Sequence, residues 1–175
     1  MHRLKGGCCS VYIQNGPYRQ TYASETAQAK FLSSPLAPNL KGTIQFYQMP
    51  YGVEVFVQVE GLPDFKKPKN GKQIGPHGFH IHEKGVCEIG DGKDPFSSAG
   101  GHWNPDDQPH GNHAGDFPVL FSNQGRARMI FFTDRFKVSA IIGKSVIIHE
   151  GPDDFQSQPS GDSGKRIACA IIERS

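Results

Sequence analysis

Between positions 43 and 60 the chain alternates hydrophobic and polar residues. Thr43-Ile44-Gln45-Phe46-Tyr47-Gln48 leads into Met49-Pro50-Tyr51-Gly52, and Val53, Val55, Val57 and Val59 then alternate with Glu54, Phe56, Gln58 and Glu60. A period of two puts the four valines on one face, and the Pro/Gly signal between the runs predicts an antiparallel hairpin with one buried side. Further strands are predicted at 78–82, 126–132, 145–149 and 166–172, with a short one at 11–13 inside an N-terminal extension, 1–27. No segment keeps a helical period beyond about two turns. Short strands, irregular connections and the absence of an internal repeat predict an all-β antiparallel sandwich or barrel over 28–175.

Two connections are too long to be passive. Residues 83–125 and 150–165 are rich in turn chemistry, and connections of that length in a compact domain are functional or disordered. Composition narrows the picture further. With 175 residues a single domain is expected. Nineteen Lys+Arg against 17 Asp+Glu give a formal charge of +2, which argues against a dedicated nucleic-acid binder. The longest apolar run, 167–172, is far below the roughly 20 residues of a membrane span. The opening Met1-His2-Arg3-Leu4-Lys5-Gly6-Gly7-Cys8-Cys9 lacks the apolar stretch of about 7–15 residues of a secretory signal, so a cytoplasmic location is expected. A trimmed secreted or periplasmic form would read the same way.

Seven of the eight histidines fall between His77 and His149. His80 and His82, two apart on a predicted strand, project from one face while Phe79 and Ile81 take the other. His149 ends the apolar run Val146-Ile147-Ile148. His102 follows Ala99-Gly100-Gly101, where glycine allows close backbone approach. His110, His113 and Asp116 follow at intervals of three. Mixed nitrogen and carboxylate ligands suit zinc, and an all-imidazole set suits copper(II). Six histidines and one aspartate fall one ligand short of two four-coordinate sites, a shortfall removed if one imidazole uses both ring nitrogens.

Gly78-Phe79-His80-Ile81-His82-Glu83, Ala99-Gly100-Gly101-His102-Trp103-Asn104-Pro105, His113-Ala114-Gly115-Asp116, Ile141-Ile142-Gly143 with His149-Glu150, and Gly164-Lys165-Arg166-Ile167-Ala168-Cys169 together resemble the copper/zinc superoxide dismutases. The resemblance covers 29–172, with the motifs in the family's order. It implies an eight-stranded antiparallel Greek-key barrel carrying two long functional loops. It implies copper ligands His80, His82, His102 and His149, and zinc ligands His102, His110, His113 and Asp116, with His102 bridging. Asp153 matches a carboxylate linking a copper-ligand to a zinc-ligand histidine, with Asp154 as a rival. His77 matches a bracing histidine that binds no metal, and His2 has no counterpart.

Arg166 matches the family's active-site arginine, whose fixed charge and donor fork suit a small anion. Cys87 and Cys169 match the family's disulfide; Cys8 and Cys9 lie outside it. The implied activity is dismutation of superoxide to dioxygen and hydrogen peroxide by a cycling copper ion, with Arg166 and His102 as catalytic residues. The partners implied are superoxide, a copper-delivery protein and a second copy of the chain. The rival is a non-catalytic metal-buffering or structural member of the same fold. A zinc hydrolase of the His-x-His-x-Asp-His type would need Asp and His where Lys84 and Gly85 stand. The interval between His110 and His113 is shorter than in many relatives. Lys66, Lys67, Lys69 and Lys72 give residues 64–76 the character of a solvated loop.

Overall fold

The computed structural model describes residues 25–67 and 71–175. The strand expected at 11–13, most of the extension 1–27, Cys8, Cys9 and Lys69 lie outside the described residues. Two antiparallel sheets face each other across one core. Strands β1 (Thr26–Lys30), β3 (Lys41–Met49), β4 (Gly52–Glu60), β6 (Arg126–Thr133) and β9 (Glu173–Arg174) form the first, in the order β6-β4-β3-β1-β9. Strands β2 (Leu32–Ser33), β5 (Phe79–His82), β7 (Ser145–His149) and β8 (Arg166–Ile171) form the second, in the order β2-β8-β7-β5. One helical turn, α1 (Val138–Ile141), and a 3-10 turn at Ser97–Ala99 complete the regular structure among the described residues.

The hairpin lies where alternation places it. Ile44 pairs with Val57 and Phe46 with Val55, and Val53, Val55, Val57 and Val59 are fully buried. These valines meet Ile81, Phe79, Val146 and Ile148 of the second sheet in a single cluster. β1 opens at Thr26, just before the boundary read from the pattern.

The eight strands implied by the family appear as nine named segments plus one irregular one, for two physical reasons. The chain bends from one sheet to the other at Phe31 and at Ile172, so two continuous runs are each divided into β1/β2 and β8/β9. Both hinge residues are buried, closing two corners of the sandwich. The run 116–120, in contrast, pairs with 77–80 only through isolated bridges: Phe117 donates to Phe79 and Leu120 to His77. Pro118 in its middle has no N–H to continue the ladder.

Cys87 and Cys169 form a disulfide with Cα atoms 5.6 Å apart, fastening the long loop to β8. Phe96, Ala99 and Ile147 pack around it in a small cluster of their own. Its two half-cystines are 82 residues apart, so the chain-entropy account assigns the crosslink about 4–5 kcal/mol. Cys169→Ser is expected to lose about that much unfolding free energy in a denaturant titration. A change under about 1 kcal/mol would show that native strain cancels the gain.

Candidate metal centre

All four residues of β5 are buried, but for two different reasons. Phe79 and Ile81 enter the core between the sheets, while His80 and His82 face outward and are covered by the two long loops. The loop 83–125 is stitched to this strand: His82 bridges His102, and His80 bridges Asp116. Gly115 makes that approach feasible, because a β-carbon there would stand 2.6 Å from the Ile81 carbonyl oxygen. His149 arrives from β7, whose register slips between Ile148 and His149.

Two groups result, each with candidate ligand atoms within 4.8 Å of one another: His80, His82, His102 and His149, and then His102, His110, His113 and Asp116. His102 alone belongs to both. It lies with its ring stacked on that of His80, centroids 3.9 Å apart. A third set, His80, His110 and Asp153, joins the two groups from behind.

The hydrogen bonds fix where the protons sit. His82 Nδ1 donates to the Gly100 carbonyl at 3.0 Å and His149 Nδ1 to that of Gly164 at 3.1 Å. Each ring therefore turns an unprotonated Nε2 inward, and those two atoms are 3.4 Å apart. Two lone pairs that close repel, so the pair is arranged for a cation and not for each other. His80 Nε2 and His110 Nε2 donate to the two oxygens of Asp153, at 2.5 and 2.8 Å. Their Nδ1 atoms are left buried without a hydrogen-bond partner, as are His102 Nε2 and His113 Nδ1. Buried polar atoms are almost always paired, so four such nitrogens, divided between two groups that share His102, fit two metal ions. Asp116 turns Oδ1 toward His102 Nδ1, at 3.1 Å, and His113 Nδ1, at 3.3 Å.

Burial, reinforced by the neighbouring rings, holds His80 and His82 well below the ordinary histidine range. His149 is pushed down to about 3, mainly by burial, against the Gly164 hydrogen bond that raises it. His113 is lowered too, by burial first. Burial by itself would raise Asp116, yet the hydrogen bond from His102 and the nearby His110 and His113 bring it below the usual carboxylate range. The rings are thus neutral donors of lone pairs and the carboxylate is an anion, the states that metal ligation requires.

Arg166 begins β8 half-buried and donates to the carbonyls of Phe96, at 2.6 Å, and Gly100, at 2.7 Å. Gly100 thereby serves His82 and Arg166 together. Lys165 beside it is exposed. His77 is fully buried, with its ring nitrogens 2.8 Å from the His149 carbonyl and 3.0 Å from that of Pro63. It ties three segments together and offers the metal groups nothing. Asp153, 6 % exposed, faces the rings, whereas exposed Asp154 caps its own turn through Ser157 and Gln156. Lys72 pairs with Asp162, so the lysine-bearing segment touches the second long loop.

Pattern reasoning missed the oxygens and the glycine behind the ligands. Phe96 holds a left-handed backbone, φ 62°, that no local signal announces. Gly161, φ 66°, leaves room for the Asp153 carboxylate: a β-carbon there would overlap it and crowd His110 Nε2. One of three glycines in a loop of Ser, Asp and Gln was the only sign of it.

The family model for copper/zinc superoxide dismutase (SODC) matches residues 40–172. The chain belongs to the copper/zinc superoxide dismutase family. A superoxide dismutase [Cu-Zn] of Deinococcus radiodurans is 35 % identical over 149 residues, 75 % of this chain and 76 % of that one. One from Legionella pneumophila is 32 % identical over 163 residues, 86 % of this chain and 91 % of the relative. The extracellular superoxide dismutase [Cu-Zn] of Drosophila melanogaster is 36 % identical over 151 residues, 76 % and 75 % of the two. The solved Cu/Zn superoxide dismutase of Brucella abortus superimposes with a TM-score of 0.67 at 30 % identity, over 85 % of this chain and all of that one. The fold is thus shared with a solved copper/zinc superoxide dismutase, and copper and zinc are the family's cofactors. No helix among the described residues is long and apolar enough to cross a membrane.

The lowered histidines give the metal-free protein a definite response to acid. Folded, these rings stay neutral; unfolded, they take up protons near pH 6.5. Between that value and the folded one, about 3 for His149, the unfolded state binds more protons, so stability falls as pH falls. The melting temperature of metal-free protein is expected to decline steadily from pH 6.5 toward pH 4. A flat profile would contradict burial of neutral rings.

Proposed function

We propose that this superoxide dismutase holds copper at His80, His82, His102 and His149 and zinc at His102, His110, His113 and Asp116, within an enzyme domain spanning 28–175. The observation carrying this reading is the sharing of His102, the one ring in both groups, with Nδ1 toward Asp116 and Nε2 buried and unpartnered on the other side. An all-imidazole set favours copper, and a set containing a carboxylate favours zinc. When bound, copper supplies one-electron chemistry, accepting an electron from one superoxide and returning it to the next; zinc has no redox chemistry to offer. The balance is two superoxide anions and two protons giving dioxygen and hydrogen peroxide.

The chain's own residues supply the rest. Arg166 keeps its charge at every physiological pH. Its guanidinium is anchored by two carbonyls, so it presents a fixed cation to an incoming anion and spends no freedom on approach. Neutral His82 and His149 add no competing charge. His102 is the proton carrier: its Nε2, buried in the site with no protein partner, would take a proton whenever it is not engaged by copper and pass it to reduced substrate. Asp153 holds His80 and His110 by their outer nitrogens, which keeps both inner nitrogens unprotonated.

Two partners accompany this reading. Burial of His80, His82 and His149 favours delivery of copper by a carrier protein over uptake of the free ion. Ile130 and Phe132, 59 % and 56 % exposed on the outer side of β6 beside Phe56, favour a second copy of the chain as the other. Phe132→Lys is expected to convert a sedimenting dimer to monomer; unchanged sedimentation of a dimer would exclude that face.

The function is tested by metal analysis together with superoxide decay on reconstituted protein. One copper and one zinc per chain with dismutation are expected, while full loading without dismutation would favour a metal-buffering role. Arg166→Ile is expected to slow decay roughly tenfold or more and to flatten its dependence on ionic strength. An unchanged rate would remove the arginine from substrate guidance.

A further inference from the structure

The turn that carries three of the proposed zinc ligands is only seven residues long, 110–116; Gly115 ties its far end to Ile81 and Trp103 and the His110 ring ties its start to Asp153, while its middle, 111–113, is shaped by bonds within the turn. Asp116 Oδ2 accepts from the backbone N–H of Gly111 at 2.8 Å and of His113 at 3.1 Å, and the Asp116 N–H returns to the His113 carbonyl at 3.1 Å. Such internal bonds shape the turn but do not aim it, because they survive if the whole turn tilts. Aiming requires ties to other elements. Gln158 provides one, accepting from the His110 N–H at 2.8 Å. For Gly111 and His113, the hydrogen bonds that leave the turn, among the described residues, come from Arg135. Its Nη1 donates to the His113 carbonyl at 3.0 Å and, at the longer distance of 3.4 Å, to that of Gly111.

Arg135 belongs to neither ligand group and lies in the exposed connection between β6 and α1. Its base is nonetheless rigid. Its N–H donates to Thr133 Oγ1, and the next residue, Phe136, is buried. The Phe136 ring packs on Trp103 and Phe117, centroids 5.9 and 6.1 Å away. Those two aromatics directly follow His102 and Asp116 in the chain. One short segment therefore refers three ligands to a common base: two through aromatic packing, and His113 through the guanidinium. His113 has the greater need of it, since its side chain is 7 % exposed against 4 % for His102 and none for His110.

We propose that Arg135 is a positioning residue for the zinc-side ligands, holding the backbone at 111–113 so that His113 meets the ion without a search. The proposal rests on the zinc reading given above. Charge alone predicts the opposite sign, because a guanidinium close to a dication repels it, and its removal would then tighten zinc binding. Partners that act on ligands from outside typically contribute 10–100-fold in metal affinity. A clamp acting through the backbone belongs at the low end of that range.

The test uses the full-length chain as wild type, Arg135→Ala and Arg135→Lys, with zinc affinity measured by competition against a chromophoric chelator. Melting temperatures are recorded with and without zinc. Arg135→Ala is expected to weaken zinc about tenfold and to shrink the zinc-induced rise in melting temperature, leaving the metal-free melting temperature in place. Arg135→Lys, which keeps the charge but not the planar fork, is expected to recover part of the loss. It answers the same question should the alanine variant not fold. Unchanged or tighter zinc binding in either variant would overturn the proposal. So would a drop in melting temperature that is equal with and without zinc, which marks a merely structural contact. Failure of the wild type to bind zinc at this site would instead overturn the zinc assignment itself.

Discussion

Six imidazole rings packed against one another cannot all carry charge, and uncharged rings must each place one proton somewhere. That constraint organises the centre. Four of the rings send their N–H outward to an oxygen: His82 to Gly100, His149 to Gly164, and His80 and His110 to opposite oxygens of Asp153. Once the outer nitrogen donates, the inner one has no choice but to offer a lone pair. The inward face is therefore all acceptor, an arrangement that the protein's own donors leave unsatisfied and that a cation completes. The remaining architecture can be understood as the means of holding those oxygens where they are.

The sandwich does this by dividing labour. Strands β5 and β7 deliver His80, His82 and His149 from a ladder whose other face is core, so these ligands inherit the rigidity of the packed interior. The two long loops deliver the carbonyls, Asp153, Arg166's anchors and the turn at 110–116. They are not loose coverings. The disulfide fixes the first to β8, the bridges at His102 and Asp116 fix it to β5, and Gln158 joins it to the second. A site divided between strands and loops in this way is only as well formed as the ties between them.

Much of this was legible in the residue pattern, and the limits have physical causes. Alternation at 43–60 reported the hairpin because one face is buried and a slip of one residue would turn four valines outward. The i, i+2 spacing of His80 and His82 reported a shared face for the same reason. The segment 116–120 was not legible as a strand, since Pro118 interrupts both its ladder and its pattern. The bends at Phe31 and Ile172 left no trace either, because a buried residue reads alike whether the chain runs straight or changes sheets. Among functional groups, side chains with distinctive chemistry were found and backbone atoms were not. Phe96 contributes a carbonyl through an unfavourable backbone conformation, and no residue type encodes that. Gly161 contributes an absence of volume.

The fixed tautomers have a thermodynamic corollary. Metal uptake by a flexible set of histidines ordinarily competes with protons and becomes easier as the medium turns alkaline. Here His80, His82 and His149 are already uncharged near neutrality, so an arriving ion displaces nothing from them. In the proposed arrangement the ring that must still ionise is His102, which can serve two ions only by surrendering its last hydrogen. The acid–base cost of assembling the centre thus falls on one imidazole, the same one proposed to carry a proton in turnover.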